Sequence, residues 1–167
     1  MIKLGSIGAL DALKIAIQSK TDMQQFYVEI GSTLDIDEIR AVFQGLAEKE
    51  IQQRKRLIQA YSQISGRKIL YLNLNKKHKL NVSFDYNSDP HEIFEIAKKN
   101  ERESRDFYLG VSRRLYEPEL RKFFRDLAME EEQHLALLES TINEVFAMAD
   151  KENQDNTSQV DAVAQSG

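Results

Sequence analysis

The feature that most restricts the fold of this chain is an internal repeat with a spacing of 81 residues. A shift by that spacing, which carries Ile15 onto Ile96, also superimposes other identical residues of the two halves. These are Phe26-Tyr27 with Phe107-Tyr108, Phe43 with Phe124, Leu46-Ala47 with Leu127-Ala128, and Glu50 with Glu131. Because one constant spacing serves two segments in each half, the chain is predicted to contain a duplicated supersecondary unit.

Each repeat unit is predicted to be a helical hairpin. Its apolar residues recur mostly at steps of three and four, so every helix has one apolar stripe for packing. We predict helices at about 7–33, 36–65, 90–116 and 118–149. Asp35 with Glu38 predicts a capping pair for the second helix, Gly66 predicts its end, and Asp89-Pro90 predicts a capped start for the third. The fold class is therefore all-α, a four-helix bundle made of two duplicated hairpins.

Two segments depart from this pattern. Apolar residues alternate between 70 and 86, which is typical of a strand. A short hairpin and a long extended crossover between helices 2 and 3 both fit, and we favour the crossover because parallel helices 2 and 3 would need one. From 150 to 167 the chain is polar and poor in large apolar residues, so a disordered tail is predicted beside a bundle domain at 1–149.

Composition excludes several classes of function. The 167-residue chain has no cysteine, which excludes disulfides, cysteine-ligated zinc, iron–sulfur clusters and cysteine catalysis. Its net charge of −4 argues against a nucleic acid partner. No apolar run approaches the ~18 residues of a membrane helix, and Asp11 interrupts the apolar N-terminal stretch, so neither a membrane span nor a signal peptide is expected. We expect a cytoplasmic protein.

The apolar stripes contain polar residues, and these carry the functional information. Continuing the steps of three and four reaches Lys20, Glu50, Gln53, Glu101, Glu131 and His134. Within a helix, residues at i and i+3 share a face, as do Glu131 and His134. Buried carboxylates are costly unless they are paired, protonated or bound to metal. Carboxylate oxygens with an imidazole suit iron, manganese or zinc.

These segments resemble the rubrerythrin-like members of the ferritin-like superfamily over about 7–149. ALKIAIQSKTDMQQFY and IFEIAKKNERESRDFY resemble the first and third helices of that family, and FQGLAEKEIQQ and FRDLAMEEEQH resemble the second and fourth. The resemblance implies a ferritin-like four-helix bundle. It also implies a di-iron site with one Glu from each of two helices and a Glu-x-x-His pair from each of the other two.

Carried over position by position, the resemblance implies four metal ligands: Glu50, Glu101, Glu131 and His134. Lys20 stands where the family has the Glu of helix 1, and Gln53 stands where it has the His of helix 2. In the family those two ligands belong to the same metal, so one half of the site is vacated. Three carboxylates with the Lys20 ammonium carry a charge of −2, which balances one divalent ion. We predict that Lys20 fills the vacated position beside a single iron, manganese or zinc ion.

Three functions remain open at this stage. The first is a metal-binding protein with a half-degenerate di-iron site. The second is an active di-iron oxidoreductase, a peroxide reductase or ferroxidase, which would need an external electron donor because a chain without cysteine lacks the Cys₄ iron domain of rubrerythrins. The third is a non-catalytic interaction or structural bundle. No catalytic residue is assigned, Tyr27 and Tyr108 are predicted to be core aromatics, and His78 and His91 are predicted to lie at the surface. A homodimer is expected, with the apolar 69–86 stretch as the candidate contact.

Overall fold

The computed structural model describes residues 8–34, 36–69 and 89–164, with side chains of the last helix as far as 147. The described residues form four helices and no strand: α1 (Ala9–Thr33), α2 (Asp37–Ser65), α3 (Pro90–Ser112) and α4 (Pro118–Ala164). The all-α prediction is therefore confirmed. None of the described helices is both long enough and apolar enough to cross a membrane.

The helix ends follow from local sequence, with some differences from the predicted caps. Gly66 ends α2 in the left-handed region at φ +65°, where its N–H donates to the carbonyl of Ser62. Asp89 precedes Pro90 as predicted, but its side chain makes no capping hydrogen bond. Asp35 of the other predicted capping pair lies outside the described residues. α3 ends at Ser112 rather than at 116, and a turn at 113–114 follows it.

The helices form two hairpins, since α1 packs mainly against α2 and α3 mainly against α4. Two apolar clusters fill the bundle core. The upper cluster joins the end of α1, the starts of α2 and α3, and the later part of α4; its members include Tyr27, Phe43, Phe94 and Leu138. The lower cluster joins the start of α1, the ends of α2 and α3, and the start of α4; its members include Leu13, Leu57, Tyr108 and Phe124. α2 and α3 therefore run in the same direction.

The parallel arrangement bears on the connection between α2 and α3. α2 has 29 residues, so its ends are separated by about 43 Å. α2 ends in the lower part of the bundle and α3 begins in the upper part, so the end of α2 and the start of α3 lie at opposite ends of the bundle. Residues 70–88 lie outside the described residues, so the choice between a hairpin and an extended crossover stays a prediction. The same holds for the predicted dimer contact at 69–86, of which only Ile69 is described.

The last helix is longer than the sequence pattern predicts. α4 continues to Ala164, whereas its end was predicted at 149 and a disordered tail at 150–167. The chain has no Gly or Pro between Pro118 and Gly167, so nothing in the backbone requires the helix to stop where its apolar stripe ends. The division of the chain into a 1–149 domain and a separate 150–167 segment stays a prediction.

Candidate metal centre

A layer of polar side chains lies among the apolar residues of the bundle core. Its members are almost completely shielded from solvent and come from all four helices: Lys20, Glu50, Glu101, Glu131 and His134. We refer to these five residues as the polar cluster. The steps of three and four that place Met23 and Tyr27 in the core also place Lys20 there, because all three lie on one face of α1.

On one side of the polar cluster, the ammonium group of Lys20 joins the two hairpins. Its Nζ lies 2.9 Å from Oε2 of Glu50 and 2.8 and 3.0 Å from the two carboxylate oxygens of Glu131. Burial lowers the pKa of Lys20, but the charges of Glu131 and Glu50 outweigh burial and raise that pKa well above its usual value. Lys20 is therefore charged, and it lies between the carboxylates of Glu50 and Glu131, one from each hairpin.

On the other side of the polar cluster, His134 faces the carboxylate of Glu101 and the second oxygen of Glu50. Its Nδ1 lies 3.3 Å from Oε2 of Glu101 and 3.6 Å from Oε1 of Glu50. Burial lowers the pKa of His134 to about 4, so the ring is neutral at pH 7 and one ring nitrogen keeps its lone pair. The remaining oxygen of Glu101, Oε1, accepts a hydrogen bond from the hydroxyl of Tyr27.

The cluster contains more negative than positive charge. Burial raises the pKa of Glu131 to about 7, although the nearby ammonium of Lys20 lowers it. Burial likewise raises the pKa of Glu50 well above its usual value, against the same opposing charge. One ammonium thus compensates three buried carboxylates incompletely, and a further cation would stabilise their ionised forms.

Gln53 lies next to the cluster but its amide nitrogen points away from it. The residue is buried, and its Nε2 donates to Oε2 of Glu130 at 3.0 Å, on the outer side where Arg56 contacts the same carboxylate. Oε1 of Gln53 is buried and accepts no hydrogen bond within the described part of the chain. The sequence indicated a buried residue here, but it did not indicate Glu130, because helical periodicity predicts a face and not the rotamer that a long side chain adopts.

The two core tyrosines have more specific surroundings than the sequence predicted. Both are buried, but Tyr27 donates to Glu101, whereas the ring centroid of Tyr108 lies 5.7 Å from the ammonium of Lys20. A buried tyrosine hydroxyl usually needs a hydrogen-bond partner. That requirement is the feature of the sequence that could have indicated a polar partner for Tyr27. His91 is exposed, with its ring 5.9 Å from that of Phe146. His78 lies outside the described residues.

The donor set could hold a metal ion. One potential ligand atom from each of Glu50, Glu101, Glu131 and His134 lies within 4.8 Å of all the others. Metal–ligand bonds of about 2.1 Å in a tetrahedral arrangement separate neighbouring donors by about 3.4 Å. The distances of 3.3 and 3.6 Å from the His134 nitrogen to its two carboxylate oxygens are close to that value. Oε1 of Glu50 is also buried and accepts no hydrogen bond from the described residues, so a donor atom is available there.

Comparisons with known proteins agree with this architecture. The family model described as Rubrerythrin matches residues 11–142. A solved structure of a hypothetical protein from Pyrococcus furiosus is similar, with a TM-score of 0.71 and 23% sequence identity over 84% of this chain and 94% of the other. A dodecameric thioferritin, the bacterioferritin-related protein from Bacteroides fragilis, is also similar, with a TM-score of 0.70 and 15% identity over 86% of this chain and 89% of the other. At these identities the two structures show the fold alone. No curated protein sequence matches this chain significantly.

Proposed function

The chain belongs to the rubrerythrin family, and on that premise we propose that it binds one divalent metal ion. The proposed ligands are Glu50, Glu101, Glu131 and His134. Lys20 occupies the position that a second metal ion would need. The site is thus a half-degenerate form of a di-iron site, as the sequence predicts.

The observation that carries this proposal is the way Glu50 is shared. One of its oxygens lies 2.9 Å from the ammonium of Lys20, and the other faces the imidazole nitrogen of His134 at 3.6 Å. The ammonium therefore takes the place of a metal ion at one oxygen of Glu50 and leaves the other oxygen available for the proposed ion. Three carboxylates with one ammonium sum to −2, so one divalent ion makes the cluster neutral. This balance favours one ion over two.

Iron, manganese and zinc all suit a set of carboxylate oxygens and one imidazole. Bound iron or manganese would supply one-electron chemistry, and bound zinc would supply Lewis acidity. The residues of the chain would hold the ion and its surroundings. Tyr27 fixes the orientation of Glu101 by donating to the oxygen that faces away from His134.

The alternative hypothesis, an oxidoreductase with two metal ions, is less favoured. A second metal ion would have to bind between Glu50 and Glu131, where Nζ of Lys20 lies 2.9 and 2.8 Å from their oxygens. A peroxide reductase or ferroxidase activity, an external electron donor, a homodimer and a cytoplasmic location stay predictions.

Metal analysis tests the proposal. The protein is stripped of metal with a chelator and loaded separately with Mn(II), with Zn(II) or, in the absence of oxygen, with Fe(II). Each sample is passed through a desalting column, and its metal content is measured by elemental mass spectrometry. We expect close to one ion per chain for at least one metal. A value near two contradicts the role of Lys20, and a value near zero with all three metals favours the non-catalytic bundle instead.

Two variants locate the site. Glu101→Gln and His134→Ala each remove one proposed ligand, so metal retention should fall at least tenfold. His91→Ala is the matched control, since it removes an exposed histidine whose ring contacts Phe146 and no cluster member. Circular dichroism verifies that each variant is folded. Full metal retention by both ligand variants would show that the ion binds elsewhere.

A further inference from the structure

We infer that Lys20 makes this site selective for divalent over trivalent metal ions. The inference rests on the proposed metal site and assigns to a residue of this chain the choice of ion charge. The geometry that supports it is the shared carboxylate of Glu50, which places the ammonium on one oxygen and the proposed ion on the other.

The charge balance of the site depends on this one ammonium. Among the residues that the structure describes, Lys20 is the only lysine or arginine in the buried class. With a divalent ion the cluster is neutral. With a trivalent ion the cluster would carry an uncompensated positive charge, which is energetically unfavourable in a site shielded from solvent. Without the ammonium, the three carboxylates would instead match a trivalent ion.

The ammonium also differs from a second metal ion in that it cannot dissociate. It is covalently attached to α1 and held by contacts of 2.8–3.0 Å to carboxylates of both hairpins. Its repulsion therefore acts on whichever ion enters the site, and it acts more strongly on a trivalent ion. Two unit charges roughly 5 Å apart at an effective dielectric constant near 20 change an equilibrium constant on the order of 100-fold.

Separate binding measurements with a divalent and a trivalent probe ion quantify this selectivity. The wild-type protein and Lys20→Met are dialysed against Mn(II) and, separately, against citrate-buffered Ga(III), which has no accessible redox chemistry under these conditions. Bound metal per chain is measured over a range of free metal, which gives an association constant for each ion. We expect the ratio of the Ga(III) constant to the Mn(II) constant to rise on the order of 100-fold in Lys20→Met.

The matched control is Lys49→Met, which removes a unit positive charge from an exposed side chain next to Glu50. Because solvent screens that charge, the ratio should change less than about threefold. Lys20→Gln is a second test variant that keeps a polar side chain in the core, for use if Lys20→Met does not fold.

The outcomes separate this inference from the proposed function. If the wild-type protein binds Mn(II) but the ratio is unchanged in the Lys20 variants, the inference is wrong and the metal site stands. If the control variant changes the ratio as much as Lys20→Met, total charge and not the buried ammonium sets selectivity, and the inference is again wrong. If the wild-type protein binds none of the divalent ions, the proposed function itself fails.

Discussion

Replacing Lys20 by Met in the metal-free protein removes the buried ammonium that compensates Glu50 and Glu131. The three side chains have no measurable exposure to solvent, and the Lys20 ammonium contacts both carboxylates at 2.8–3.0 Å. Removing one partner of a buried ionic group costs about 3–5 kcal/mol, because the remaining charges are left uncompensated. In a chain of this length, 1 kcal/mol corresponds to about 2–4 °C, so we expect the melting temperature to fall by about 6–20 °C.

The loss should depend on pH in a defined direction. The pKa of Glu131 is raised to about 7 even with Lys20 present, because of burial, and removal of the ammonium raises it further. A carboxyl group whose pKa is higher in the folded than in the unfolded protein favours folding at low pH, and this contribution is lost as the pH rises through the folded-state value. The deficit of Lys20→Met relative to wild type should therefore be smaller at pH 5.5 than at pH 8.0.

Thermal and urea denaturation followed by circular dichroism, in the presence of a chelator, would measure both effects. Lys14→Met is the matched control on the same helix. Lys14 is partly exposed and its Nζ lies 3.5 Å from Asp11, so its loss should change the free energy of unfolding by less than about 1 kcal/mol. A Lys20→Met protein as stable as wild type at pH 8.0 would refute the argument that the ammonium compensates the buried carboxylates.

Three further predictions address separate features. Lys20→Glu combined with Gln53→His should raise the metal content from one to two ions per chain, and an unchanged count in a folded protein would contradict the half-site interpretation. Tyr27→Phe removes the hydroxyl that donates to a buried carboxylate, so urea denaturation of the metal-free protein should show a loss of about 1–3 kcal/mol; no loss would mean that the contact is replaced. Gly66→Ala at φ +65° should destabilise by about 1 kcal/mol, whereas Gly45→Ala within α2, where an added Cβ meets nothing within 4 Å, should stabilise by a similar amount; equal effects of the two changes would contradict this.

The sequence predicted the helices and the polar cluster because both depend on periodicity. α1 and α2 were predicted at 7–33 and 36–65 and are observed at Ala9–Thr33 and Asp37–Ser65. The same steps of three and four predicted that Lys20, Glu50 and Glu131 would each lie on the apolar stripe of their helix, and the family resemblance implied that Lys20 would lie beside the other two. Since residues on one face of a helix point in one direction, a repeat of apolar residues also positions the polar residues among them.

Other features depend on information that periodicity lacks. The hydrogen bond from Gln53 to Glu130 depends on a side-chain rotamer. The hydrogen bond from Tyr27 to Glu101 depends on how α1 and α3 are aligned along the bundle. These two helices are not consecutive in the chain, so no short connection sets their alignment. The continuation of α4 to Ala164 depends on backbone propensity beyond the apolar stripe, where the pattern used to place helix ends no longer exists.

The parallel arrangement of α2 and α3 has a consequence for the order in which the protein folds. Each hairpin can form from contacts that are close in sequence, but the pair between Lys20 and Glu131 joins residues 111 positions apart. Closing so long a loop is slow relative to forming a hairpin, and the contact exists only after the two hairpins have docked. The charge cluster is therefore expected to form late, so that changing it would accelerate unfolding and leave the folding rate nearly unaltered.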